Sequence, residues 1–147
     1  MFNPKNILVA TDFTDESDAA LREAFDIAEK FQSSIYLLHV IDDVRQCAVD
    51  YCLSEPEILA EKNKLREEGM MKMEAQLRRL SGERRIPLIK EIRFGSTVDE
   101  IVRFEGEKQI DLVLTAPHRP QKRWWRNVPH LTHNLVNNSL CETMVVR

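Results

Sequence analysis

The chain has 147 residues, enough for one domain with a real core, since most domains hold roughly 50 to 250 residues, and no second domain is expected. With 24 acidic against 21 basic residues the net charge is −3, which excludes a global basic field for nucleic acid and an acidic tail. No apolar run approaches the roughly 18 to 20 residues that cross a bilayer, and Met1–Lys5 does not resemble a signal peptide, so a soluble cytoplasmic protein is expected.

Asn6-Ile7-Leu8-Val9-Ala10-Thr11-Asp12 is a short apolar run ending in an acid, the pattern of a strand buried on both faces. In open α/β sheets ligands bind beyond the carboxyl ends of such strands, near the reversal of strand order, which is where Asp12 would stand. Asp15, Glu16 and Asp18 follow where a helix N-terminus favours negative charge, and Leu21, Ala24, Phe25, Ala28 and Phe31 recur at helical spacing. Ser34–Ile41 is a second interior strand, so this stretch reads as a βαβ unit with a right-handed crossover and parallel strands. The segment from Asp42 to Leu53 shows neither period and is expected to be a loop over the carboxyl edge of the sheet.

Ser54-Glu55-Pro56-Glu57 is a capping box with proline in the first turn, and it predicts a long helix. Its apolar stripe is Ile58, Leu65, Met70, Met73, Leu77 and Leu80, and Gly82 fits its C-terminal cap. Ile86–Phe94 is a third strand, more alternating and so nearer an edge. After Gly95, the pairing of Ser96 with Asp99 or of Thr97 with Glu100 predicts another capped helix, packed through Ile101, Val102 and Phe104. Ile110–Ala116 and Glu142–Arg147 supply strands four and five. The cysteines, Cys47, Cys52 and Cys141, are odd in number and form no C-x-x-C pair, which suits a reducing compartment and assigns them no chemistry.

Ile7-Leu8-Val9-Ala10-Thr11-Asp12, Leu38-His39-Val40, Gly95 with Glu100-Ile101, Asp111-Leu112-Val113, and Cys141 followed by Met144-Val145-Val146-Arg147 together resemble the universal stress protein family over essentially the full length. The resemblance implies a single domain, residues 1–147, with a flavodoxin-like, adenine-nucleotide-hydrolase-like open sheet of five parallel strands in the order 3-2-1-4-5 and helices on both faces. It also implies a homodimer made by pairing the last strands. In agreement, Thr143, Met144, Val145 and Val146 would otherwise leave an apolar edge strand unpaired.

Many members of the family bind ATP through a glycine pattern after strand four: Gly, two residues, Gly, nine residues, Gly, then Ser or Thr. Bare backbone N–H groups there approach phosphate oxygens, and the last glycine opens a helix whose N-terminus favours anions. Here those positions hold Ala116, Arg119, Pro129 and His130, all replaced within an intact spacing. Arg119 puts a long side chain where backbone should meet phosphate, and Pro129 deletes an N–H. A guanidinium at Arg119 is the compensation that would keep ATP as a ligand, against the ordering cost of a mobile side chain. Asp12 and Val40 match the residues that face the base in nucleotide-binding relatives. Taken by itself, Asp12 reads as a cap of the following turn.

The segment from His118 to Asn127 carries Arg119, Lys122, Arg123 and Arg126 around the adjacent indoles of Trp124 and Trp125, with no acid. It reads as a plug over the pocket, as a docking site for an acidic protein, or as a single-strand binder that stacks bases. Nucleic acid is the least favoured, because one short patch offers few phosphate contacts. His118, His130 and His133 suggest zinc, but no Asp, Glu or Cys of the segment completes a site, so no metal is expected. His39 reads as structural. Glu55, Glu57 and Glu91 lie on helix or strand faces without partners, and no nucleophile, base and orienting group stand together, so no catalytic residue is assigned. The expected function is a non-enzymatic, cofactor-free dimer acting through protein contacts. The alternatives are an ATP-binding switch or slow ATPase using Arg119, and an anion or nucleic-acid binder using the tryptophan segment.

Overall fold

A run of three aliphatic residues that excludes all water needs cover on two sides, and Ile7, Leu8 and Val9 are each fully buried. In a computed structural model, which describes residues 1–41, 53–117 and 131–147, these residues form the central strand β1 (Asn6–Ala10). Around it stand β2 (Ser34–Ile41), β3 (Leu88–Phe94), β4 (Leu112–Thr115) and β5 (Glu142–Val145). All neighbours pair in parallel, in the order β3-β2-β1-β4-β5. The expected topology is therefore observed, with β3 at one edge.

Alternation along β1 and β2 divides the core. Ile7, Val9, Ile35 and Leu37 face helix α1 (Asp15–Phe31), packing on Leu21, Ala24, Phe25 and Ala28, and helix α2 (Glu55–Leu80), packing on Met73. Leu8, Leu38 and Val113 belong to the opposite layer, with Ile101 and Phe104 of α3 (Thr97–Lys108) and Leu135 of α4 (Leu131–Asn138). Strand order reverses between β1 and β4, so the two diverging connections leave a crevice at their carboxyl ends.

The helix signals act as expected, with one exception. Thr14 caps α1 by accepting the N–H of Ser17. The capping box of α2 is complete, with Ser54 N–H donating to Glu57 Oε2 at 3.2 Å and Glu57 N–H to Ser54 Oγ at 3.4 Å, and Gly82 lies just beyond the helix at φ +60°. Ser96 does occupy the cap position of α3, but it makes no side-chain cap bond. Glu100 in the first turn is engaged with cations, accepting from Arg103 at 2.6 Å and facing Arg93 at 3.8 Å. The expectation that Glu91 lacks a partner is also corrected, because Arg93 Nε donates to it at 2.6 Å. That same guanidinium lies 4.8 Å over the ring of Phe104.

Three strand starts or ends are shorter than expected, for backbone reasons. At β3 the carbonyl of Pro87 accepts from Ile35 at 2.8 Å, but proline has no N–H with which to extend the ladder. At β4 the N–H of Ile110 closes the end of α3 on the carbonyl of Glu105, and the Asp111 carboxylate accepts the N–H groups of Lys5 and Asn6, each at 2.8 Å. The last strand ends at Val145, and the N–H of Val146 still reaches the Thr115 carbonyl at 2.9 Å. Buried Glu105 accepts from Leu140 N–H at 2.6 Å and from Ser139 Oγ at 2.8 Å, anchoring the turn before β5 to the end of α3.

Gly95 carries the chain from β3 into α3 at φ +145°, where side chains are strained, and a Cβ there would stand 3.0 Å from Glu100 Oε1. Gly95→Ala is expected to lower the unfolding free energy by about 1–3 kcal/mol in a urea titration, with the melting curve remaining cooperative.

Candidate functional site

The crevice beyond β1, β2 and β4 has a volume of about 280 Å³, at the small end of ligand pockets. Thr11 and Asp12 floor it, Val40 and Thr115–Pro117 form its sides, and Thr97 with Ile101 of α3 closes one wall. Asp12, Val40 and Ala116, residues far apart in the chain, line this one crevice. Arg119, Lys122, Arg123, Trp124, Trp125, Arg126, Pro129 and His130 lie outside the described residues, as do Cys47, Cys52 and His118. Thr143, Met144, Val145 and Val146 stand on or just after the edge strand.

Asp12 behaves as a turn acid. Its Oδ1 accepts the N–H of Thr14 at 3.1 Å and the Thr14 hydroxyl at 2.5 Å, while the carboxylate stays exposed at the crevice. Between them, Phe13 adopts φ +66°, a left-handed conformation that a bulky residue rarely takes. Its N–H donates to Thr11 Oγ1 at 3.1 Å.

Below the floor lies a buried polar chain that sequence reasoning missed. Thr11 Oγ1 is 3.1 Å from both Ser17 Oγ and Gln76 Oε1. Gln76 Nε2 donates to Asp18 Oδ1 at 2.7 Å, and Arg79 Nη1 donates to Asp18 Oδ2 at 2.5 Å. Burial alone would push the Asp18 carboxyl up, but the hydrogen bonds from Arg79 and Gln76, with the nearby guanidinium charges, hold it below the usual carboxylate range. A signal did exist in the sequence: Asp18 shares the stripe of Leu21 and Phe25, and Gln76 that of Met73 and Leu80, so each is a polar residue on an apolar face.

His39 stands where three elements meet. Its Nδ1 is 2.8 Å from the Thr11 carbonyl, which can only accept, so Nδ1 carries the proton. The ring packs on Phe13 with centroids 4.5 Å apart. From α2, a Cβ at Gly69 would come within 3.6 Å of His39 Cδ2 and 2.6 Å of Ile92 Cδ1, so a glycine lets the helix seat here. Burial is the main cause that depresses the His39 pKa, and Lys72 adds to it against the opposing pull of the Thr11 bond and Asp12.

Ser17 Oγ donates to the Thr14 carbonyl at 2.9 Å rather than to a base, and Thr115 Oγ1 donates weakly to the Ala116 carbonyl at 3.4 Å. Burial, then Glu105, pushes the Cys141 thiol up to about 11, so it stays protonated at neutral pH. Among the described residues no three His, Cys, Asp or Glu side chains cluster to hold a metal, and His133 pairs with Asn137 at 3.0 Å. None of the described helices is long and apolar enough to cross a membrane.

A parallel sheet of this order, with a crevice floored by an acid at the strand-order reversal, defines an open flavodoxin-like α/β protein. Residues 3–147 match the universal stress protein family, and the chain belongs to it. It is 28% identical over 148 aligned positions to a universal stress protein A homologue from Haemophilus ducreyi, covering 97% of this chain and 95% of that one. Among solved structures, the hypothetical protein MJ0577 aligns with a TM-score of 0.76 at 26% identity, covering 99% of this chain and 96% of that one. A universal stress protein in complex with cAMP aligns with a TM-score of 0.63 at 18% identity, covering 99% and 98%.

The His39 environment sets a sign for pH dependence. Its folded pKa lies below 6.5, so the unfolded chain takes the proton first, and the associated stability is full above that value and is lost as pH falls below it. NMR titration of the four histidines is expected to find the His39 midpoint under 6.5, and a midpoint at or above it contradicts this account.

Proposed function

We propose that this chain is a non-enzymatic, homodimeric universal stress protein that acts through contacts with other proteins and does not hold ATP in a glycine cradle. The observation that carries this reading is the in-register replacement of the cradle by Ala116, Arg119, Pro129 and His130. An intact spacing with every glycine gone removes the bare N–H groups that a triphosphate tail needs while leaving the surrounding frame unchanged. The hydroxyls of Thr11, Ser17 and Thr115 support it, since each is engaged within the protein rather than poised beside a base. The basic, tryptophan-bearing segment from Arg119 to Arg126 is the proposed protein-contact surface, because Trp and Arg are frequent interface anchors.

A second reading is favoured by one observation. Asp12, Val40 and Ala116 line a single crevice, and a family member of similar fold was solved with cAMP, which supports a reading in which this crevice takes the base of an adenine nucleotide. In that reading Arg119 takes the phosphates as a side-chain cation.

Thermal denaturation with and without Mg-ATP separates the two. A ligand at about one hundred times its Kd stabilises the native state by about 2.7 kcal/mol, so an unshifted melting temperature at millimolar ATP is the expected result, and a clear upward shift establishes the second reading. Arg119→Gly with Pro129→Gly and His130→Ser is expected to create ATP-dependent stabilisation, because the spacing is already in place.

The dimer is proposed on the edge strand. Beyond β5 no further strand pairs among the described residues, and Leu140 and Val145 are 70% and 37% exposed there. Because Val146 N–H turns inward to Thr115, the N–H of Val145 faces outward, available to a second copy. Val145→Pro removes that donor while sparing the inner ladder, so monomers or aggregates are expected in sedimentation. A soluble dimer in this variant would place the subunit contact elsewhere.

A further inference from the structure

The left-handed conformation of Phe13 at the crevice floor has to be held by something, because a bulky side chain gains nothing from it locally. Two of its restraints are internal to the loop and its neighbour strand: the Asp12 bonds to Thr14 and the packing of the Phe13 ring on His39. From α2, the Lys72 ammonium stands 5.7 Å over the Phe13 ring. A further restraint is the bond from Phe13 N–H to Thr11 Oγ1, and the orientation of that hydroxyl is decided outside the loop.

Proton accounting shows where it is decided. The Thr11 hydroxyl accepts from Phe13 and has one proton to give. Ser17 Oγ, 3.1 Å away, could accept that proton, but Ser17 is already bonded to the Thr14 carbonyl, whereas buried Gln76 Oε1 has no other donor among the described residues, so the Thr11 proton goes to Gln76. Gln76 cannot rotate its amide, because Nε2 donates to Asp18 and leaves Oε1 facing Thr11. Asp18 is 3% exposed and stays ionised through Arg79, so Gln76 is committed as donor at one end and acceptor at the other. The donors therefore run one way, from Phe13 through Thr11 and Gln76 to Asp18, with Arg79 closing the far end. Such directional chains polarise one another, and a partly satisfied one is costly. Both Gln76 and Arg79 belong to α2, more than fifty residues beyond the loop they hold.

We propose that α2 latches the crevice floor: Gln76, oriented by the Asp18–Arg79 pair, fixes Thr11, keeps Phe13 left-handed and thereby sets Asp12 at the mouth. The shape of the crevice is then conditional on the seating of α2, whatever ligand the crevice takes. Gly69 and His39 mark the contact through which the helix is seated against the sheet.

Amide hydrogen exchange of the full chain tests this, with the core amides of Leu8 and Leu37 as internal reference for global opening. In Gln76→Met, exchange at Phe13 and Thr14 relative to that reference is expected to rise by about tenfold or more, since the loop would open locally. Glu74→Gln on the same helix, an exposed partner of Lys90, serves as the control and is expected to leave that ratio unchanged. Folded Gln76→Met with a wild-type ratio at Phe13 overturns the proposal. Should Gln76→Met fail to fold, Arg79→Met asks the same question from the far end, where the side chain is 55% exposed. An increase of about threefold or more at Phe13 supports the latch, and an unchanged ratio there overturns it.

Discussion

Complete burial of β1 is the constraint from which the architecture follows. Ile7, Leu8 and Val9 have no access to water on either face, which requires helices on both sides and a hydrogen-bonded neighbour along each edge. Those neighbours are β2 and β4, and the chain reaches them through connections that diverge. The divergence leaves a gap at the strand ends, and β1 delivers Thr11 and Asp12 into it. The crevice is a by-product of hiding three aliphatic side chains.

Membership of the universal stress protein family gives that crevice a context, but the local chemistry defines what it is in this chain. Its floor is stiff. Asp12 spends one oxygen on Thr14, Phe13 is held left-handed, and His39 joins the loop to β2 and α2. A floor of this kind is pre-organised, which lowers the ordering cost of any occupant. In the sequence, Ala116, Arg119, Pro129 and His130 stand where the family resemblance leads one to expect three glycines and a Ser or Thr.

The sequence made the elements legible where burial was continuous and caps were explicit. β1 and β2 were readable as unbroken apolar runs, and α2 from Ser54 and Glu57 alone. Strand limits were less readable because backbone donors decide them: Pro87 has none to offer, and Ile110 uses its own to close α3. At the site, Asp12 was placed by the apolar run that ends in it, and Val40 and Ala116 were reached through the resemblance. Thr11, Gln76, Asp18 and Arg79 were not, because their partnership depends on how α1 and α2 lie side by side, and periodicity within one helix carries no information about its neighbour. Glu91 was misread for a related reason: a carboxylate on a strand face finds the guanidinium two residues along.

Glu105 has a consequence for mechanics. It sits in the last turn of α3, tied to the turn that launches β5, while Thr97 at the other end of the same helix borders the crevice. Twelve helical residues make a rod about 18 Å long, too stiff to absorb a displacement along its axis. The rim of the crevice and the outer margin of the sheet are therefore held at a fixed spacing by the two ends of one rigid helix.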